Sequence, residues 1–196
     1  MKPSRWQHIA KRAALGGVLG GAGVFVLLVA VAYQSGVVIN TTVSLPLGLY
    51  RSIDAPVERG AYVQFCPPPS AVFDEAQRRG YLGAGFCPGG YEPMLKRVLA
   101  AKDDQVDVAA EGVHINGQRV PLSAQMRADG GGRPMPRYVQ HRVLTASELM
   151  LMSDVSGVSF DSRYFGPSTG PRFGPSSNRS SPGRCGSARS LRGLMP

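Results

Sequence analysis

Between Ala13 and Tyr33 the chain runs for 21 residues without a charged side chain, and no other feature restricts its fold as much. As a helix rising about 1.5 Å per residue, this run spans roughly 30 Å, the thickness of bilayer hydrocarbon. One transmembrane helix is expected. Residues 1–12 carry Lys2, Arg5, Lys11 and Arg12 and no acid, which orients that segment toward the cytoplasm and the rest of the chain toward the periplasm. Ala30-Val31-Ala32 matches the small-x-small pattern of a cleaved secretory signal, but such signals have apolar cores of about 7 to 15 residues. The longer run favours an anchor that is retained.

The formal net charge of +9 suggests nucleic acid until its distribution is followed. Four of the 22 basic residues precede the apolar run and five lie in 168–196. Both segments lack acids, so 13 basic residues face 13 acidic ones in the body. A neutral body offers no general surface to a phosphate backbone, and nucleic acid is excluded as a partner. At 196 residues and 43% hydrophobic content, the chain suffices for one core beside the membrane segment. Cys66 and Cys87 flank a stretch rich in Pro and Gly. A disulfide between them suits an oxidising compartment and restrains a surface excursion, by about 3 kcal/mol. Without paired spacing or nearby histidines these cysteines do not indicate zinc, no metal or cofactor is implied, and Cys185 is left unpaired.

The body reads as mainly β. Pro46 and Gly48 punctuate a turn between extended pieces, which puts Ser44 in a loop. Residues 60–65, 94–99 and 138–144 read as strands, and Ser70–Arg79 reads as a short helix with Ser70 as its N-cap. Asn116-Gly117 marks a hairpin between Val113-His114-Ile115 and Gln118-Arg119-Val120. From Ser168 onward Gly, Pro, Ser and Arg dominate with little to bury, so 168–196 is expected to be a disordered basic tail. The expected organisation is a cytoplasmic segment at 1–12, the membrane helix at 13–33, a periplasmic domain at 34–167 and the tail.

Chemistry enters with Ser44, close behind the apolar run, and Lys96, inside Pro93-Met94-Leu95-Lys96-Arg97-Val98-Leu99. A serine hydroxyl is a weak nucleophile until a base takes its proton, and an ammonium cannot serve. Burial makes a lysine neutral by disfavouring its charged form. As a strand, 94–99 puts Met94, Lys96 and Val98 on one face and Leu95, Arg97 and Leu99 on the other. Lys102, beside Asp103 and Asp104, is held in its charged form and is a poor base. The histidines are weaker rivals. His8 precedes the membrane segment, His114 adjoins a hairpin turn, and His141 sits between Gln140 and Arg142 in an expected strand. The pattern points to a membrane-tethered serine/lysine hydrolase.

With Ser44, Lys96 and Ser159-Phe160-Asp161-Ser162-Arg163-Tyr164-Phe165-Gly166-Pro167 laid out, residues 35–167 resemble the type I signal peptidase family, and more narrowly its TraF-type maturation peptidases of conjugative transfer. Asn40 to Arg51 is similar to that branch's nucleophile segment, Glu58 to Val63 to the following strand, and Met94 to Val98 to the lysine strand. The resemblance implies a signal-peptidase/LexA-like β domain, with Ser44 as nucleophile and Lys96 as general base. It further implies Thr42 as an oxyanion donor, Ser159 as a hydroxyl bonded to the lysine, and Asp161 and Arg163 as a charged pair bracing the site. The implied activity is a serine endopeptidase that processes exported precursor proteins, a conjugative pilin precursor in this branch, with cyclisation as a variant outcome. A non-catalytic envelope binding protein of the same fold and a general signal peptidase are the alternatives. Asp103 stands where the family usually has glycine. The apolar strand that usually follows Gly166-Pro167 is not recognised here, and a shifted reading frame in the tail is the expectation.

Overall fold

The computed structural model describes residues 5–34, 36–53, 55–169 and 189–194, without side-chain detail at 5–15, 19 and 32–34. The chain divides between Val38 and Ile39 into two units. The first is built on helix α1 (Arg5–Gln34), which runs unbroken from within the basic segment through the apolar stretch. Among the described residues no helix is long and apolar enough to cross a membrane. The run read as a spanning segment, 13–33, falls partly outside the described side chains.

The second unit follows as β1 (Val37–Asn40, shared across the boundary), β2 (Gly48–Ile53), β3 (Tyr62–Phe65), helix α2 (Ala71–Arg78), β4 (Met94–Ala100), β5 (Gln105–Ala109) and β6 (Gly112–Ile115). Then come β7 (Gln118–Arg119), β8 (Gln140–Val143), β9 (Glu148–Met152), helix α3 (Ser162–Phe165), β10 (Ser168–Thr169) and β11 (Arg189–Gly193). One sheet runs in the order β1-β2-β11-β3-β4-β9-β10 and a smaller one in the order β7-β6-β5-β8. The architecture is mainly β, as the sequence predicts.

Strand β4 alternates as expected, with Met94, Lys96, Val98 and Ala100 buried and the residues between them half-buried. Strand β9 is buried on both faces and was not predicted, because Glu148-Leu149-Met150-Leu151-Met152 shows no alternation to read. Its two faces serve different cores. Leu149 and Leu151 join Val63, Phe65, Phe73, Met94, Val98, Phe160 and Tyr164, whereas Met150 and Met152 join Val106, Val108, Val113, Ile115 and Leu144. A register shift between Val98 and Ala100 lets β4 change sides as well, so that Ala100 packs in the second cluster. The single core expected from chain length is thus two clusters.

The disordered-tail expectation is corrected where the tail is described. Strand β11 pairs antiparallel with β2 (Leu191 opposite Ser52) and with β3 (Leu191 opposite Tyr62). Ser190 and Leu191 are buried. A five-residue strand satisfied by ladders on both sides needs little apolar content of its own, and composition averaged over the whole tail hides it. The strand said to be missing after Gly166-Pro167 therefore has a counterpart in this frame, which removes the motive for a frame shift. Cys185 lies outside the described residues.

Local expectations otherwise fare well. Helix α2 begins after Ser70, although the Ser70 carbonyl and not its hydroxyl caps the first turn, accepting from Phe73 and Asp74 N–H. The Asn116-Gly117 turn has φ of 51° and 79°, the paired positive values of a type I′ hairpin. Asp103 does adopt positive φ, 67°, at the position where glycine was expected. Cys66 and Cys87 form a disulfide 21 residues apart in sequence.

Candidate active site

The loop between β1 and β2 carries Ser44, and the buried face of β4 carries Lys96. Lys96 Nζ lies 3.1 Å from Ser44 Oγ and 2.7 Å from Ser159 Oγ, and the two hydroxyls are 3.3 Å apart. The three predicted groups form a closed triangle. Ser44 remains partly open to solvent while Lys96 is 4% exposed. Burial pulls the Lys96 amine down to about 8 from its ordinary 10.5, against an opposing pull from the Asp161 carboxylate; the Arg163 guanidinium adds to the lowering. An amine of that kind is substantially neutral at mildly alkaline pH and lies within proton-transfer reach of the serine, as a general base must.

Asp161 and Arg163 are fully buried and bonded to each other through Arg163 Nε to Oδ1 at 2.7 Å and Nη2 to Oδ2 at 2.8 Å. The remaining guanidinium hydrogens reach the carbonyls of Leu122, Gly157 and Ser156, at 2.7, 2.9 and 3.3 Å. Asp161 also accepts from the N–H groups of Ser153 and Arg163 and caps α3. Every polar group of the pair is thus spent on its partner or on backbone. It clamps the Ser153–Ser159 segment, and so Ser159, to the loop after β7.

Thr42, expected to face an oxyanion, donates its hydroxyl to Asn40 Oδ1 at 2.8 Å. The sequence reading missed Asn40, which is 4% exposed and bonds backbone on both sides of Ser44. The signal was available: asparagine four residues before Ser44, of a type that commonly bonds nearby backbone. Tyr50 was missed too. Its hydroxyl donates to the Pro46 carbonyl at 2.7 Å and its ring meets Tyr62 edge-on. The rival histidines are elsewhere, His114 and His141 both standing opposite Asp107 on the smaller sheet. Among the described residues no group of three or more His, Cys, Asp or Glu is placed to hold a metal ion.

Known proteins similar to this chain include the following. Plasmid transfer protein TraF of Escherichia coli is 58% identical over 161 residues, covering 82% of this chain and 90% of its own length. A probable conjugal transfer protein TraF of Sinorhizobium fredii (strain NBRC 101917 / NGR234) is 43% identical over 141 residues, 71% of this chain and 73% of its own. A solved signal peptidase I from Enterococcus faecalis V583 shares 17% identity over 60% of this chain and 92% of its own, with a TM-score of 0.31. The family model for signal peptidase, peptidase S26, matches residues 13–172, and the chain belongs to that family.

Proposed function

We propose that this chain is a membrane-anchored serine endopeptidase that cleaves an exported precursor protein, a conjugative pilin precursor, with Ser44 as nucleophile and Lys96 as general base. The observation that carries the reading is the buried amine 3.1 Å from the Ser44 hydroxyl. Lys96 takes the proton as Ser44 Oγ attacks the scissile carbonyl and returns it to the leaving amine; a water, or in cyclisation the amine at the precursor's own other end, then releases the acyl enzyme. The Ser44 backbone N–H and the Thr42 hydroxyl are the proposed oxyanion donors, the latter once it leaves Asn40. The conjugative substrate class is supported by the relatives' names as plasmid and conjugal transfer proteins. The anchor is supported by the uncharged run within α1 behind a basic head, with the N-terminus cytoplasmic and the β unit periplasmic. Incubating detergent-solubilised protein with a pilin precursor tests this. Cleavage is expected from the native chain and from neither Ser44→Ala nor Lys96→Ala, and processing by either variant would remove that residue from the mechanism. No cleavage by any version would favour a non-catalytic binding protein.

A further inference from the structure

The segment around Ser44 has little regular structure of its own, and one side chain holds both its flanks. Asn40 Nδ2 lies 3.1 Å from the carbonyl oxygens of Thr42, Leu45 and Pro46, two residues before the nucleophile and one and two after it. Its Oδ1 accepts from Thr42 N at 3.1 Å and Thr42 Oγ1 at 2.8 Å. An amide alone among uncharged side chains offers two N–H hydrogens and a strong acceptor at one point, and here both ends are used. With Asn40 4% exposed and seated on β1, the loop is tied to the sheet from within, while Leu45, 1% exposed, plugs into the core beside it.

From this geometry we propose that Asn40 is the positioning residue of the nucleophile loop, fixing the Ser44 hydroxyl at Lys96 through the backbone on either side of it. The proposal rests on the peptidase reading above. Asn40 bonds neither Ser44 Oγ nor Lys96 Nζ; it acts through the loop backbone and the Thr42 hydroxyl it holds. Replacing it by aspartate keeps shape and acceptor but sets a carboxylate against three carbonyl oxygens; leucine removes both functions at similar size. Either change releases the loop, and a nucleophile misplaced by about 1 Å loses on the order of 100-fold in rate.

The test counts working sites before measuring turnover. Burst release from a chromogenic p-nitrophenyl ester, corrected with Ser44→Ala, gives the number of acylable serines, and precursor cleavage gives kcat and KM per such site. Asn40→Asp and Asn40→Leu are expected to lose about 100-fold in kcat per site with KM within about twofold. A residue needed only for folding would lower the number of sites and leave kcat per site alone, and that result overturns the proposal. If the native chain does not cleave the precursor, the peptidase reading and this proposal fall together; a normal burst with unchanged turnover per site in the variants overturns this proposal alone. Hydrogen exchange on the native chain supplies a measurement independent of variant folding. The Thr42 backbone N–H, on a solvent-exposed residue, should be protected by Asn40 Oδ1, and exchange at the free-peptide rate overturns the clamp.

Discussion

Substituting Lys96 by methionine separates catalysis from stability in opposite directions. The folded amine protonates only below about 8, the unfolded one already below 10.5. Between those values unfolding takes up a proton, so stability rises with pH across the window. Below about 8 both states are protonated and the native state bears the full penalty, about 3 kcal/mol for the interval involved. Methionine removes that penalty at neutral pH, offset by about 1 to 2 kcal/mol for the stranded hydroxyls of Ser44 and Ser159. Lys96→Met is therefore expected to be inactive yet more stable than the native chain by about 1 to 2 kcal/mol at pH 7, and less stable at pH 10. Urea unfolding at both values, with the disulfide intact, measures the change. The difference between the two proteins should move by about 2 to 3 kcal/mol, the titration of other groups cancelling in the comparison. A difference that stays constant between pH 7 and 10 would mean that Lys96 titrates like an exposed amine, and the argument for a neutral base would fail. Turnover should follow the same group, rising about tenfold per pH unit below about 8 and levelling above it.

Other substitutions probe the frame around the dyad. Asp161→Asn leaves the Arg163 guanidinium fully buried without its counter-charge and should cost about 3 to 5 kcal/mol in urea unfolding; surviving activity should develop at lower pH, since the carboxylate that favours charged Lys96 is gone. Cys87→Ser opens the 21-residue loop and should destabilise by about 3 kcal/mol, read from urea unfolding with the slope fitted for each protein, since the released chain unfolds to a larger surface. Leu191→Pro interrupts a strand paired on both sides and should cost about 3 kcal/mol or more, with loss of cleavage in step; native stability in that variant would show that β11 is not needed in the sheet.

The sequence made legible what depends on short-range pattern. Lys96 could be placed on a buried face because Met94 to Leu99 alternates, and the 116–117 turn because asparagine and glycine tolerate positive φ. Strand β9 could not be read, since burial on both faces erases alternation, and β11 could not because its stability comes from two neighbours far away in sequence. Ser159 and the Asp161–Arg163 pair were visible only through family resemblance. Their meeting with Lys96 is made by a connection of more than fifty residues, about which local spacing says nothing. Asn40 was passed over for a different reason: the reading looked for groups that react and not for the one that holds the reacting group still.

Strand β11 has a consequence for the timing of activity. Ser44 hangs from the edge formed by β1 and β2, Lys96 belongs to the block of β3, β4 and β9, and β11 alone stitches one to the other in the large sheet. Yet it is translated after every other strand described here. Until that last strand is made, a growing chain thus holds the Ser44 hydroxyl and the Lys96 amine on two unsewn pieces. On the peptidase reading proposed above, cutting power would arrive only with the final stitch.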